Sequence, residues 1–291
     1  MRARDQALLE TVIIPVSRGP SPVGPRAAGA ARRGADRVTV CISSQVGCAR
    51  ACTFCETGAH GLARQLDAGE IVDQVRLARA RSAERGSDPV TNVVFMGMGE
   101  PFDNLGEVAK AAALFTDGRA FRLAPSRVTV STVGVADKLE AFFATCNVGL
   151  AVSLNAPDDA RRSKIMPVNE RFSMAELRAA IVRHLPASRH VLFEYVLIAG
   201  FNDALADADL VADFVAGIRC RVNVIPLNPG PDPEQKPPSD EVLDAFVRRL
   251  AERGVVTLVR RPRGRDVGGA CGQLAGAARR AAEAATPSSS S

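Results

Sequence analysis

Short β-branched runs alternate with helical patterns along most of the chain. Strands are predicted over residues 38–42, 91–96, 127–131, 149–154, 190–198 and 220–227, with a short terminal run over 255–259. Helices are predicted over 68–85, 105–116, 136–145, 174–185, 204–218 and 239–253. Ser173 precedes Met174, and Glu176 follows three residues on, which is the form of a capping box. Strand–helix alternation at this spacing builds parallel βαβ units, right-handed and covered by helices. Six such units suit an open or partial barrel better than a closed eightfold one. No internal repeat is visible.

The ends of the chain read differently. Residues 1–37 look irregular apart from the run 10–15, and 17–36 has the Pro, Gly, Ala and Arg content of a flexible loop. A tail from about 276 ends in Thr286-Pro287 and four serines, and is expected to be disordered. The expected organisation is therefore an N-terminal segment (1–37), a core (38–275) and a tail (276–291).

Composition narrows the class. At 291 residues, 46% hydrophobic and 24% charged, the chain is neither mainly disordered, collagen-like nor a coiled coil. No apolar run approaches the ~20 residues that span a bilayer, and the N-terminus leads into no secretory segment. A soluble cytoplasmic protein with no membrane partner is the expectation. The net charge is +5, and of the 37 basic residues only Lys110, Lys138, Lys164 and Lys236 are lysines. Arginine forks phosphate, so nucleic acid is compatible with this bias, but a GC-rich coding sequence explains it equally. With no Trp and one Tyr, stacking platforms for single strands are scarce. The pairs Arg32-Arg33 and Arg161-Arg162 and the run 260–265 could meet phosphates or form a solvated face.

Four of the seven cysteines fall within 41–55, and without a signal peptide metal or catalytic use is favoured over disulfides. Cys48, Cys52 and Cys55 have the spacing C-x3-C-x2-C just after the first predicted strand. Three thiolates in so short a loop can hold zinc with His60 as a fourth ligand, or a cubane iron–sulfur cluster with one iron open. Small polar residues crowd the ends of later strands: Gly97-Met98-Gly99-Glu100-Pro101, Ser131-Thr132, Ser153-Leu154-Asn155 and Leu227-Asn228-Pro229. Parallel barrels bind ligands at the carboxyl ends of their strands, so these segments are expected to share one site.

The cysteine loop and the glycine-rich strand end resemble the radical S-adenosylmethionine superfamily. The likeness sharpens over 41–48, 94–101, 152–156, 165–169 and the segment from Arg263 through Ala270-Cys271-Gly272-Gln273-Leu274. These are similar to the radical methyltransferases of adenine in ribosomal and transfer RNA, with coverage from about Glu10 to Leu274. The resemblance implies a partial (β/α)6 radical-SAM barrel. It implies a 4Fe–4S cluster on Cys48, Cys52 and Cys55, and an S-adenosylmethionine pocket of Gly99, Glu100, Ser131, Ser153, Leu154, Asn155 and Asn228. It further implies that Cys271 is methylated and then bridges to the base, that Cys41 resolves the bridge by forming a disulfide, and that Glu10 accepts a proton. Read alone, Cys41 would be a core cysteine and Glu10 a surface carboxylate. Cys146 and Cys220 match nothing catalytic and are expected in the core, and His184 and His190 carry no ligand role.

The implied reaction methylates adenine at carbon 2, with carbon 8 the lesser alternative. RNA is then the partner, a flavodoxin or ferredoxin the electron donor, and the protein a monomer. The family's N-terminal accessory helical domain has no counterpart before Glu10 here, so an enzyme of the same fold acting on a protein or small molecule stays open.

Overall fold

The structure, a computed structural model, describes residues 5, 7–16, 37–86, 89–228, 230–260 and 274. β1 (Val12–Val16) lies antiparallel to β2 (Arg37–Cys41). β3 (Gln45–Gly47) follows, then the single-turn α1 (Glu56–Ala59) and β4 (Leu62–Gln65), which returns antiparallel to β3. The chain then alternates through α2 (Ala68–Glu84), β5 (Val90–Phe95), α3 (Leu105–Thr116), β6 (Val128–Thr132), α4 (Leu139–Thr145) and β7 (Gly149–Ser153). It continues through α5 (Asp159–Ile165), α6 (Met174–His184), β8 (Val191–Leu197), α7 (Leu205–Val215), β9 (Cys220–Pro226), α8 (Asp240–Glu252) and β10 (Thr257–Val259).

The main sheet runs β1-β2-β5-β6-β7-β8-β9-β10, and every neighbouring pair but β1–β2 is parallel. β1 and β10 are its edges, so the sheet is the expected open barrel of six strand–helix units, with β10 as a seventh parallel strand. Each predicted strand and helix lies within a few residues of an observed one.

The period-two pattern explains the two faces of the sheet. Toward the helices, Val93, Phe95, Val130, Val152, Phe193, Tyr195, Val222 and Val224 are buried in a continuous apolar core. The helices answer with matching stripes, such as Val108, Ala111, Ala112 and Phe115 of α3 and Leu243, Phe246 and Leu250 of α8. Tyr195 stacks on Phe246 at 5.4 Å between centroids, and its hydroxyl donates to Asn202 O at 2.9 Å. On the other face stand Asn92, Thr129, Ser131, Gly149, Ser153, Glu194 and Asn223, and these line cavities. Ser173 and Glu176 form the expected capping box of α6, and Asp67 with Glu70 forms another on α2.

Two expectations are corrected. The N-terminal segment supplies a full edge strand, because Val12–Val16 pairs in register with Arg37–Cys41. Arg162 is neither a phosphate contact nor a solvated face: it is completely buried, while Arg161 pairs with Asp158 and Asp207. The flexible loop expected over 17–36 and the disordered tail expected from 276 lie outside the described residues.

Candidate active site

The cysteine loop between β3 and α1 is fixed by its own backbone. The Cys48 N–H donates to Gly61 O at 2.8 Å, Cys55 N–H to Cys52 O at 3.1 Å, and Thr53 N–H to Ile165 O at 3.1 Å. Gly47 has φ +81°, and a Cβ there would sit 2.0 Å from Gly61 O, so only glycine lets the two strands approach. Cys48, Cys52 and Cys55 line a cavity of about 150 Å³ together with Gly99, Glu100, Ser131, Ser153, Asn155 and Asn228. Leu154 does not line it. Its side chain is fully buried, its N–H donates to Glu194 O, and its carbonyl accepts from Arg162.

Burial pushes the Cys48 thiol up to about 12 and the Cys52 thiol upward as well. Thiolates there need a metal centre to hold them ionised. Among the described residues no three His, Cys, Asp or Glu side chains converge on a single ion, which does not suit a tetrahedral zinc site with His60. A cubane cluster gives each cysteine its own iron, so it fits three thiols that share a cavity without meeting at one point.

The strand end after β5 packs directly on the connection between β2 and β3. Gly97 N–H donates to Ile42 O at 2.9 Å, Met98 N–H to Ser43 Oγ at 2.9 Å, and Ser44 N–H to Met98 O at 2.9 Å. Gly99 has φ +103°, and a Cβ would meet Gln45 at 2.5 Å. The Glu100 carboxyl is 2% exposed, with Oε1 accepting from Phe102 N–H at 2.9 Å and Oε2 from Val133 N–H at 2.8 Å. It ties the ends of β5 and β6 together. Burial pushes it up to about 7, against the pull of those hydrogen bonds.

Three further residues hold the site and were not singled out from the sequence as doing so. Gln74 pairs with the Ser43 backbone as a peptide would, accepting from its N–H at 2.8 Å and donating to its carbonyl at 2.9 Å. The same oxygen accepts from Thr11 Oγ1, which draws the segment before β1 onto the barrel. Arg162 donates to Val133 O, Ser153 O, Leu154 O and Asn169 Oδ1, so one guanidinium gathers the ends of β6 and β7. Burial pulls Arg162 down to about 10. Asn202 donates to Asn155 O and Val196 O, while Asn155, at φ 57°, accepts from Val196 N–H. For Gln74 the sequence signal is a polar side chain among the apolar Ile71, Val75 and Ala78 on one face of α2.

A second chamber, of about 740 Å³, adjoins the first at Met96, Glu194, Ile225 and Asn228. Cys41 lines it and is 4% exposed. Its register partner is Val12, and Glu10, two residues before, accepts at its backbone carbonyl from Ser43 Oγ at 2.9 Å. Leu274 also lines this chamber, and its carbonyl accepts from Thr57 Oγ1. Cys271 lies outside the described residues. The six described cysteines are free thiols, so no disulfide is present among them. Cys146 is buried as expected, whereas Cys220 is only partly so. No helix among the described residues is long and apolar enough to cross a membrane.

Comparison with known proteins agrees with this geometry. Residues 42–210 match the radical SAM superfamily. The chain is 68% identical over 279 residues to a probable RNA methyltransferase of Sorangium cellulosum, covering 96% of this chain and 66% of that protein. It is 42% identical to the dual-specificity RNA methyltransferase RlmN of Anaeromyxobacter dehalogenans, covering 94% of this chain and 70% of the relative. The chain thus spans about two thirds of the length of these relatives. The crystal structure of a radical SAM methyltransferase from Sphaerobacter thermophilus superposes with a TM-score of 0.83 at 40% identity, covering 94% of this chain and 75% of that one.

Proposed function

Because the chain belongs to the RlmN-type methyltransferases of the radical SAM superfamily, we propose that it methylates a ring carbon of adenine in ribosomal or transfer RNA. The observation that carries this reading is that Cys41 and Leu274 line one chamber, and that this chamber shares Met96, Glu194, Ile225 and Asn228 with the cavity of the three cluster cysteines. Leu274 lies three residues after Cys271, a stretch of chain that reaches at most about 11 Å.

Cys48, Cys52 and Cys55 would hold the 4Fe–4S cluster, and the strand ends at Gly99, Glu100, Ser131, Ser153, Asn155 and Asn228 would hold S-adenosylmethionine. Bound there, the two supply the methyl group and the means of abstracting hydrogen, with the electron drawn from a flavodoxin- or ferredoxin-class donor. Ring carbons 2 and 8 of adenine are electron-poor, so the methyl must first pass to a good nucleophile, and sulfur is one. Cys271 takes that role. Glu10 accepts the ring proton once the carbon–carbon bond has formed, and one electron leaves as well, which restores the aromatic ring and offsets the electron drawn at the start. The Cys41 thiol then attacks the Cys271 sulfur, which releases the methylated base and leaves a disulfide.

The test is the fate of the bridge. Cys41→Ala should accept the methyl and attack RNA without releasing it, giving a nuclease-sensitive mass shift on a denaturing gel. Cys271→Ala should keep its iron and form no adduct. Normal turnover by the Cys41 variant would remove the two-thiol reading and leave a radical enzyme with another substrate.

A further inference from the structure

The second chamber carries polar groups that neither the cluster nor the two thiols use. Here Glu194 and Asn223 stand side by side on β8 and β9 as register partners, 8% and 9% exposed, and both line the chamber. Neighbouring strand residues lie about 5 Å apart, close enough to serve one flat ligand. Arg260 Nη1 donates to Glu194 Oε1 at 3.3 Å, and Arg260 is itself pinned by its N–H on Val224 O. Among the described residues nothing donates to Glu194 Oε2, and none bonds the Asn223 side-chain amide.

Both side chains keep hydrogen-bonding capacity on the chamber side, and a few convergent polar groups in a cavity are what orient a ligand. The cations Arg37 and Arg221 also line the chamber, as a phosphate-bearing ligand requires.

Resting on the RNA methyltransferase reading, we infer that Glu194 and Asn223 read the adenine base in this chamber, with Arg260 holding the Glu194 carboxylate in place. The chemistry is complementary. An exocyclic amine donates to Glu194 Oε2, and an asparagine amide pairs with the amine and a ring nitrogen of adenine together. Guanine or hypoxanthine would turn a carbonyl oxygen toward the carboxylate and be rejected. A base with hydrogen at carbon 6 would leave Glu194 unpaired, and sites built around such hydrogen bonds discriminate strongly against ligands that lack them.

The experiment uses cluster-loaded protein and an RNA fragment carrying the adenine that the wild-type protein methylates. The same fragment is made with purine, and with hypoxanthine, at that position. Glu194→Met and Asn223→Leu keep side-chain volume and remove the polar atoms. Iron content and methylation of Cys271, read by peptide mass, report that each variant is folded, since neither needs a base. The expected result is a fall of about 5- to 150-fold in transfer to adenine RNA, with the adenine-to-purine ratio moving toward one in each variant. A wild-type ratio in both variants overturns the inference. If Glu194→Met fails to fold, the uncharged Asn223→Leu decides alone. A wild-type protein that methylates no RNA would instead remove the RNA reading itself, an outcome seen before any variant is compared.

Discussion

Thr57 and Leu274, separated by 217 positions in the chain, are joined by a hydrogen bond of 3.0 Å from the threonine hydroxyl to the leucine carbonyl. Both residues are buried, and Thr57 sits in the single turn that follows the last cluster cysteine. The end of the core is thereby fastened to the cysteine loop itself. Thr57→Val keeps the shape and leaves a buried carbonyl unsatisfied, so it should cost about 1–3 kcal/mol in chemical denaturation. Thr57→Ser should cost much less. Methyl occupancy of Cys271 should fall in the valine variant and recover in the serine one.

Cys48→Ala, Cys52→Ala and Cys55→Ala should each lose the iron centre. Anaerobically purified wild-type protein should carry about four irons and four sulfides per chain and be brown. His60→Ala should retain all of it, because the three thiols do not converge on an ion that His60 could complete. Iron, zinc and sulfide analysis of the four variants checks this, and stoichiometric zinc in the wild type would contradict it.

Arg162→Met should destabilise the protein by about 3–5 kcal/mol in urea denaturation. It leaves Val133 O, Ser153 O, Leu154 O and Asn169 Oδ1 buried without their donor. Arg162→Lys should recover only a part, since one ammonium cannot fork among four acceptors. S-adenosylmethionine binding should weaken in both, as the gathered strand ends include Ser153.

Tyr195 is the single tyrosine of the sequence. Burial, with Asp207 nearby adding to it, raises its phenol well above the ordinary value of 10.0. A group whose pKa is raised on folding contributes stability that is present below the unfolded value and lost as pH climbs past it. Stability should therefore decline above about pH 10. The phenolate absorbance near 295 nm should rise only with cooperative unfolding, rather than as a gradual titration. Tyr195→Phe should lack that alkaline step and cost about 1 kcal/mol for the hydroxyl bond to Asn202.

Most of the barrel was legible because its strands are β-branched and its helices begin at recognisable caps such as Ser173. The Gly97–Pro101 and Ser153–Asn155 strand ends were legible as a shared site for the same reason, since local spacing carries both. What was not legible depends on distant partners. Gln74 reads as one polar residue in a helix until Ser43, thirty-one positions earlier, is found opposite it. Arg162 reads as surface charge because its four acceptors come from three separate segments. β1 reads in the sequence only as a brief apolar run, since an edge strand is defined by the neighbour it pairs with. Glu194 and Asn223 gave no motif of any kind; only their register makes them a pair.

β1 runs against the direction of its neighbour, with Val12 facing Cys41, so the strand works as a measuring scale for Glu10. Inserting two residues within it would keep every side chain on its own face and preserve the ladder, yet carry Glu10 about 7 Å along the barrel rim. Inserting one would turn the whole set over. The distance between carboxylate and thiol is thus written in the length of an edge strand, and that length can be edited one pleat at a time.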